Sequence, residues 1–280
     1  MSDLSLQSST SLDGPVSPFW RSKASAWAFA KSGFTKMSFV PVGALAVIAI
    51  VVMTGWWELV SFDQPFDPVL AAIWTSMGIL LSWRVRLRND IILAMTAFCG
   101  GFVIEWWGTT TELWTYFTHE RPPLWIIPAW PVAALATDRL THIFDNAVPK
   151  VSTKLCMFLY YIALPAFVLG MIRFMIPSIA ITSSRVVIAI MTLIVFSARR
   201  FRRDLALFVM GTALGWFLEY WGTTRECWTY YTHETPPLIT ALAHGFATVA
   251  FGRVASVGLF AMEFLHQRFS LPQSPPEQEL

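Results

Sequence analysis

Residues 105–124 read EWWGTTTELWTYFTHERPPL, and residues 219–238 read EYWGTTRECWTYYTHETPPL. The offset between them is 114, and 15 of the 20 positions are identical. The same offset pairs Arg86 with Arg200, Arg88 with Arg202, Asp90 with Asp204 and Arg139 with Arg253, so the likeness extends beyond the two stretches. The duplicated unit reads as two helices, a basic loop, a third helix, the motif and a fourth helix.

Apolar runs surround the motifs, at about 37–60, 68–83, 91–109, 123–140, 155–176, 178–198, 205–222 and 237–265. The first is too long for a signal-peptide core and is followed by no small-residue cleavage site. Several fall short of the ~20 residues that a crossing helix needs, so tilt or partial insertion is expected. The composition agrees. Of 280 residues, 55% are hydrophobic and 14% charged, with 14 Trp and 22 Phe. A soluble domain carries about 25% charged residues. Three Cys cannot supply a disulfide framework. So apolar a chain is not disordered for most of its length, and a net charge of +2 gives nucleic acid no basic face.

These readings predict an all-α, polytopic membrane protein of about eight transmembrane helices built as two parallel four-helix repeats. Residues 1–36 form a polar cytoplasmic segment, 37–141 the first repeat, 155–266 the second, and 267–280 a disordered tail. The loops RVRLRND (84–90) and ARRFRRD (198–204) are strongly basic, while SFDQPFD (61–67) is acidic. Basic loops stay in the cytoplasm. Both termini are therefore expected inside, in a bacterial inner (plasma) membrane. Repeats of one orientation are related by a pseudo-twofold along the membrane normal, which should bring the motifs together on the outer side.

Packing explains part of each motif. Gly108 and Gly222 can end a helix, the Pro-Pro pairs can start the next, and Trp and Tyr suit a membrane interface. Packing does not call for three carboxylates and a histidine in each copy, namely Glu105/Glu219, Glu112/Glu226, His119/His233 and Glu120/Glu234. Six of the chain's 18 acidic residues lie in the two motifs. A carboxylate at membrane depth is costly and marks function. Burial favours its neutral form, so Glu105 or Glu219 can serve as a proton donor near neutral pH.

Two chemistries fit these residues. In the first, a carboxylic acid protonates a carbon–carbon double bond, and indole and phenol faces stabilise the resulting cation. Glu105 or Glu219 is then the acid; Glu112, Glu226, His119, His233, Glu120 and Glu234 position or activate water. Trp107, Trp221, Trp114, Trp228, Tyr116, Tyr230, Thr110 and Thr224 line the substrate. In the second, the sevenfold spacing of Glu105, Glu112 and His119, and of Glu219, Glu226 and His233, sets them on one helix face as metal ligands of a di-iron type. The Gly and Thr residues of the motif argue against a continuous helix there, and no EXXH pairing is present. No cofactor is therefore expected, with a Glu/His-bound metal kept as an alternative. A transporter or binding protein for a lipid or small cation, using the pseudo-twofold axis, is the non-enzymatic reading.

Elsewhere, Arg139 and Arg253 are expected to anchor helix ends at the cytoplasmic headgroups. His244, which aligns with Trp130, and His142 and His266 are expected to be packed or solvated.

The residues Glu105, Gly108, Thr111, Tyr116, Pro128, Ala129 and Trp130 form a pattern similar to that of the bisanhydrobacterioruberin hydratase-like carotenoid-biosynthesis membrane proteins. That family carries a helix-ending Glu, Gly and Thr, a Tyr-bearing stretch, and a proline-led apolar helix with an Ala-Trp pair. The resemblance covers about 26 residues. It departs at Glu112, where the family has Gly, at Leu113-Trp114-Thr115, where it has Pro-Phe-Gly, and at Leu242 and His244 in the second copy. What it implies is a polytopic enzyme that hydrates or cyclises the end of a long polyene. The expected partners are the lipid bilayer and an apolar isoprenoid, with no nucleic acid; oligomeric state is left open.

Overall fold

The computed structural model describes residues 31–56, 68–147, 151–198 and 200–269. Most of the polar N-terminal segment, the acidic 61–67 loop, Lys150 and the tail beyond residue 269 lie outside the described residues. The described chain is mostly helical. Its eight α-helices are α1 (Phe39–Gly55), α2 (Pro68–Ser82), α3 (Leu87–Thr110), α4 (Ala129–Ala147), α5 (Thr153–Phe174), α6 (Thr182–Phe196), α7 (Phe201–Thr224) and α8 (Leu238–Phe269). Two three-residue strands, β1 (Trp114–Tyr116) and β2 (Trp228–Tyr230), follow α3 and α7.

Five helical segments are long and apolar enough to cross a membrane: Lys36–Gly55, Leu87–Thr110, Thr153–Phe174, Phe201–Thr224 and Leu238–Arg268. Large apolar side chains such as Phe39, Leu193, Phe196 and Phe260 stand exposed on the outer surface. A monomer in water rarely presents apolar surface on this scale, so the chain is an integral membrane protein. The shorter α2 and α6, of 15 residues each, are ~22 Å long, less than the ~30 Å hydrocarbon core.

The residue limits of α3 and α7, of α2 and α6, and of β1 and β2 each differ by 114, the sequence offset. Helices α3, α4, α7 and α8 form the centre. Consecutive α3 and α4, and α7 and α8, pack together, and α4 crosses to α7 as α3 does to α8. The flanking pairs differ, since α2 rests on α4 while α5 packs on both α7 and α8.

The motifs start inside the helices and end beyond them. Both α3 and α7 close with the same six-residue cap, in which Leu113 N–H donates to the Gly108 carbonyl and Cys227 N–H to that of Gly222. One residue earlier, Glu112 N–H donates to the Thr109 carbonyl and Glu226 N–H to that of Thr223. Glu112 and Glu226 take the left-handed conformation that this cap requires, with φ of 59° and 55°. The helix therefore stops at Thr110, and Glu112 and His119 do not continue the helical face that carries Glu105.

After the cap, β1 and β2 pair antiparallel, with Trp114 opposite Tyr230, Thr115 opposite Thr229 and Tyr116 opposite Trp228. Strand alternation turns the Trp and Tyr residues inward, where all four are buried. His119 and His233 occupy the turns that leave the strands, both left-handed at φ 57°. Helix α8 starts directly after its Pro-Pro pair, whereas α4 starts only at Ala129.

The basic loops lie at the other end of α3 and α7. Arg139 and Arg253, expected to anchor helix ends at the headgroups, are engaged by side chains of the protein itself. Arg139 is 1% exposed and pairs with Asp90 and with Asp138 at 3.1 Å. Arg253 pairs with Asp204 at 2.8 Å and donates to the Tyr160 hydroxyl at 2.6 Å. A buried guanidinium needs a carboxylate partner more than a charged helix end needs an anchor.

Candidate functional site

Glu105 and Glu219 each sit five residues before the end of a helix, ~8 Å inside it. Both are 4% exposed. Such a carboxylate must find its hydrogen bonds within the protein, and it does so in the same way in each copy. The Glu105 Oε2 accepts from Trp114 Nε1 at 3.0 Å and from the Tyr116 hydroxyl at 2.9 Å. The Glu219 Oε2 accepts from Trp228 Nε1 at 2.9 Å and from the Tyr230 hydroxyl at 2.8 Å, and that hydroxyl also lies 2.9 Å from Oε1. The short strands supply both donors.

Two glycines make this possible. A Cβ on Gly108 would fall 1.9 Å from the ring of Trp114, and one on Gly222 would fall 2.0 Å from that of Trp228. Each indole lies across the bare backbone of the last helical turn and so reaches the carboxylate one turn below. These glycines do not end their helices; they seat the tryptophans.

The third donor comes from the following helix and differs between copies. Trp130 Nε1 of α4 donates to Glu105 Oε1 at 3.1 Å. At the equivalent place on α8, His244 Nε2 lies 2.9 Å from Glu219 Oε1. The Trp130 and His244 rings stack on one another, with centroids 5.2 Å apart and planes 12° from parallel. The two carboxylates are thus joined by an unbroken contact, Glu105–Trp130–His244–Glu219. His244 is not the packing or solvated residue expected from sequence. The mismatch with Trp130 hid it, although position 244 is as far from Glu219 as 130 is from Glu105. Trp130 entered the sequence reading as the counterpart of His244 and through the family resemblance, without a role at Glu105.

One cavity of about 1220 Å³ contains both carboxylates. Its wall includes Trp107, Trp114, Tyr116, Trp221, Trp228 and Tyr230, together with Trp130 and His244. The remainder is almost wholly aliphatic and aromatic, from α1 and α2 on one side to α5 and α6 on the other. Pockets for drug-sized ligands measure ~300–1,000 Å³, so the space suits a long apolar molecule. The strands lie outside the helices. Burial, reinforced by the Glu105 carboxylate, pushes the Tyr116 phenol well above its ordinary value of 10.0, and burial and Glu219 do the same to Tyr230. Both stay O–H donors.

The other motif residues lie elsewhere. Glu112, Glu226, His119, His233 and Glu234 are exposed, and Glu120 is half-buried. Glu112 pairs with Arg121 at 3.1 Å, and Glu120 accepts from Trp56 Nε1 at 3.0 Å. None of these lines the cavity: Glu112 and Glu226 stand at the helix caps, and His119 and His233 at the turns that leave the strands. Thr110 and Thr224 are exposed too, with their hydroxyls donated back to the carbonyls of Trp106 and Tyr220. The one-face ligand set proposed for a metal is broken by the same cap. Among the described residues, no group of three or more His, Cys, Asp or Glu is arranged to hold a metal ion.

No family model, no curated protein and no solved structure matches this chain.

Proposed function

We propose that this is a membrane enzyme that hydrates or cyclises the end of a long, lipid-soluble isoprenoid polyene by acid catalysis. All eight helices would lie in the membrane as two parallel four-helix repeats, with both termini and the basic loops in the cytoplasm of a bacterial cell. The symmetric register of β1 and β2 supports this arrangement. Two strands lying in the membrane plane and related by a twofold along the normal must run antiparallel.

One observation carries the functional reading: two buried carboxyl groups share a large apolar cavity walled by tryptophan and tyrosine. A polyene can enter from the lipid, and one carboxylic acid can transfer its proton to a terminal double bond. The proton forms a C–H bond with the alkene's π pair, and charge remains on the adjacent carbon. The faces of Trp107 and Trp221 stabilise that charge. The cation then closes a ring and loses a proton to the carboxylate, or it takes up a water molecule that loses the proton instead. The exposed motif residues have no part in either path. The resemblance around Glu105 and Trp130 points to the same substrate class.

The test is expression of the wild-type and E105Q/E219Q proteins in polyene-producing cells, with lipid extracts compared by mass and retention. Expected is a new product in the wild type, isobaric with its precursor for cyclisation or heavier by one water for hydration, and none in the double variant. The same profile with both proteins sinks the enzymatic reading. The cavity also supports the second reading, a lipid-binding or transport protein. Purified wild type that retains an unchanged polyene and makes no product would favour that one.

A further inference from the structure

We infer that the two copies have divided their work: Glu219, coupled to His244, is the proton-transferring acid, and Glu105, locked by Trp130, is a fixed structural acceptor. The inference rests on the acid-catalysis reading above and says which half carries it out.

The argument begins with what each third partner can do. An indole N–H donates a hydrogen bond but neither gives up nor accepts a proton, whereas an imidazole does both. Glu105 therefore receives hydrogen bonds from two indoles and a phenol that stay protonated. Glu219 receives one indole on Oε2 and a phenol that reaches both of its oxygens, and His244 Nε2 lies 2.9 Å from Oε1, where Glu105 has the Trp130 indole. When the Glu219 O–H bond breaks and its proton joins the alkene carbon, a protonated His244 can return a proton to the carboxylate through this contact. When the cation loses a proton to Glu219, the neutral imidazole can take up the surplus. Protons balance over the cycle, and no oxidant or reductant is required.

The groups that face His244 are few. Glu219 on α7 touches it directly, and Glu105 on α3 is linked to it through Trp130. Tyr116 and Tyr230 on the strands, Cys99 on α3 and Cys227 after α7 line the same cavity. What α1, α2, α5 and α6 contribute to the wall carries no ionisable group.

Residues 130 and 244 also leave their helices in matching fashion. A Cβ on Gly101 would meet Trp130 Cβ at 2.6 Å, and one on Gly215 would meet His244 Cβ at 2.4 Å. Gly101 and Gly215 are themselves 114 apart. A histidine at 130 would thus start from the same backbone setting relative to Glu105, and it is smaller than the indole it replaces.

That equivalence gives the decisive experiment. Polyene conversion is measured for wild type, E105Q, E219Q, H244Q, E219Q/W130H and the triple variant E219Q/W130H/E105Q, each shown monodisperse in detergent. The expected loss is about 10²–10⁴-fold for E219Q, the range for a general acid, and below about tenfold for E105Q by the same yardstick. H244Q, which keeps a donor but cannot titrate, should lose one limb of the pH–rate profile. W130H should restore activity to E219Q by building the dyad around Glu105, and adding E105Q should abolish the restored activity. Equal losses in E105Q and E219Q, no rescue by W130H, or a wild-type pH profile in H244Q would each overturn the inference. A second measurement needs no turnover: the infrared carboxylic-acid band lost in E219Q should titrate at a different pH in H244Q, and an unchanged midpoint counts against the dyad. If wild type converts no polyene, the enzymatic reading fails first, and the infrared result then judges the coupling by itself.

Discussion

At Glu105 the side chain does more structural work than its proton alone would suggest, since three donors converge on its carboxylate from β1 and α4. Glu105→Ala would leave two indole N–H groups and a phenol unpaired in an apolar interior, at about 1–3 kcal/mol for each stranded donor. Glu105→Gln keeps one carbonyl acceptor, so it should cost about half as much by the same accounting. Thermal melts in detergent check this: E105A should melt well below E105Q, and E105Q below wild type. Equal melting of the two variants would show that the donors find other partners. The sequence made Glu105 and Glu219 legible because a carboxylate inside an apolar run has few reasons to persist. Glu112, Glu226, His119 and His233 drew the same reading in sequence, yet they stand outside the cavity. A left-handed position at a helix cap or turn usually goes to Gly or Asn, so acids and histidines there look like chemistry rather than backbone geometry.

At the level of the element, the unit that repeats is a helix end, its cap and a three-residue strand, and Gly108 and Gly222 decide how closely they fold together. Gly222→Ala would set a methyl group within the Trp228 ring, and the indole must swing away from Glu219. The expected result is a red-shifted, more exposed Trp228 emission, read in a variant retaining few other tryptophans, and polyene conversion lowered at least about tenfold through misplacement of the acid. Unchanged emission would mean that α7 yields instead of the ring. These glycines resemble ordinary helix terminators in sequence because their conformation is indeed helical and their necessity lies in a neighbour ten or fewer residues away. The pairing of β1 with β2 was legible only as proximity. Strands of three residues leave no alternating pattern long enough to read.

For the whole molecule, the duplication predicts the symmetric centre but not the link across the basic end, where Asp138 of α4 binds Arg86 at 2.8 Å and Arg203 of α7 at 3.0 Å. Its counterpart at the same offset is Gly252, so the link has no second copy and the repeat gave no hint of it. Asp138 is 3% exposed. Removing its charge in Asp138→Asn leaves Arg139 with Asp90 as a carboxylate partner but takes the Asp138 carboxylate from Arg86 and Arg203, and should cost up to about 3 kcal/mol, the low end of breaking a buried pair. Asp145→Asn, which loses only the more open contact with Arg202, should cost below about 1 kcal/mol; similar melting losses in both would deny the cluster its role. The same end-to-end polarity fixes a last expectation. The loop before α7 contains exposed Ser197, and the turn after β2 contains exposed Glu234. Between them runs α7, whose 24 residues span ~36 Å. With Cys99, Cys156 and Cys227 replaced by alanine, Ser197→Cys should react with an impermeant maleimide only after the membrane is opened, and Glu234→Cys should react in intact spheroplasts. Labelling of both from one side would mean that α7 does not cross, and the positive-inside orientation and the outer position of the carboxylate site would fall together.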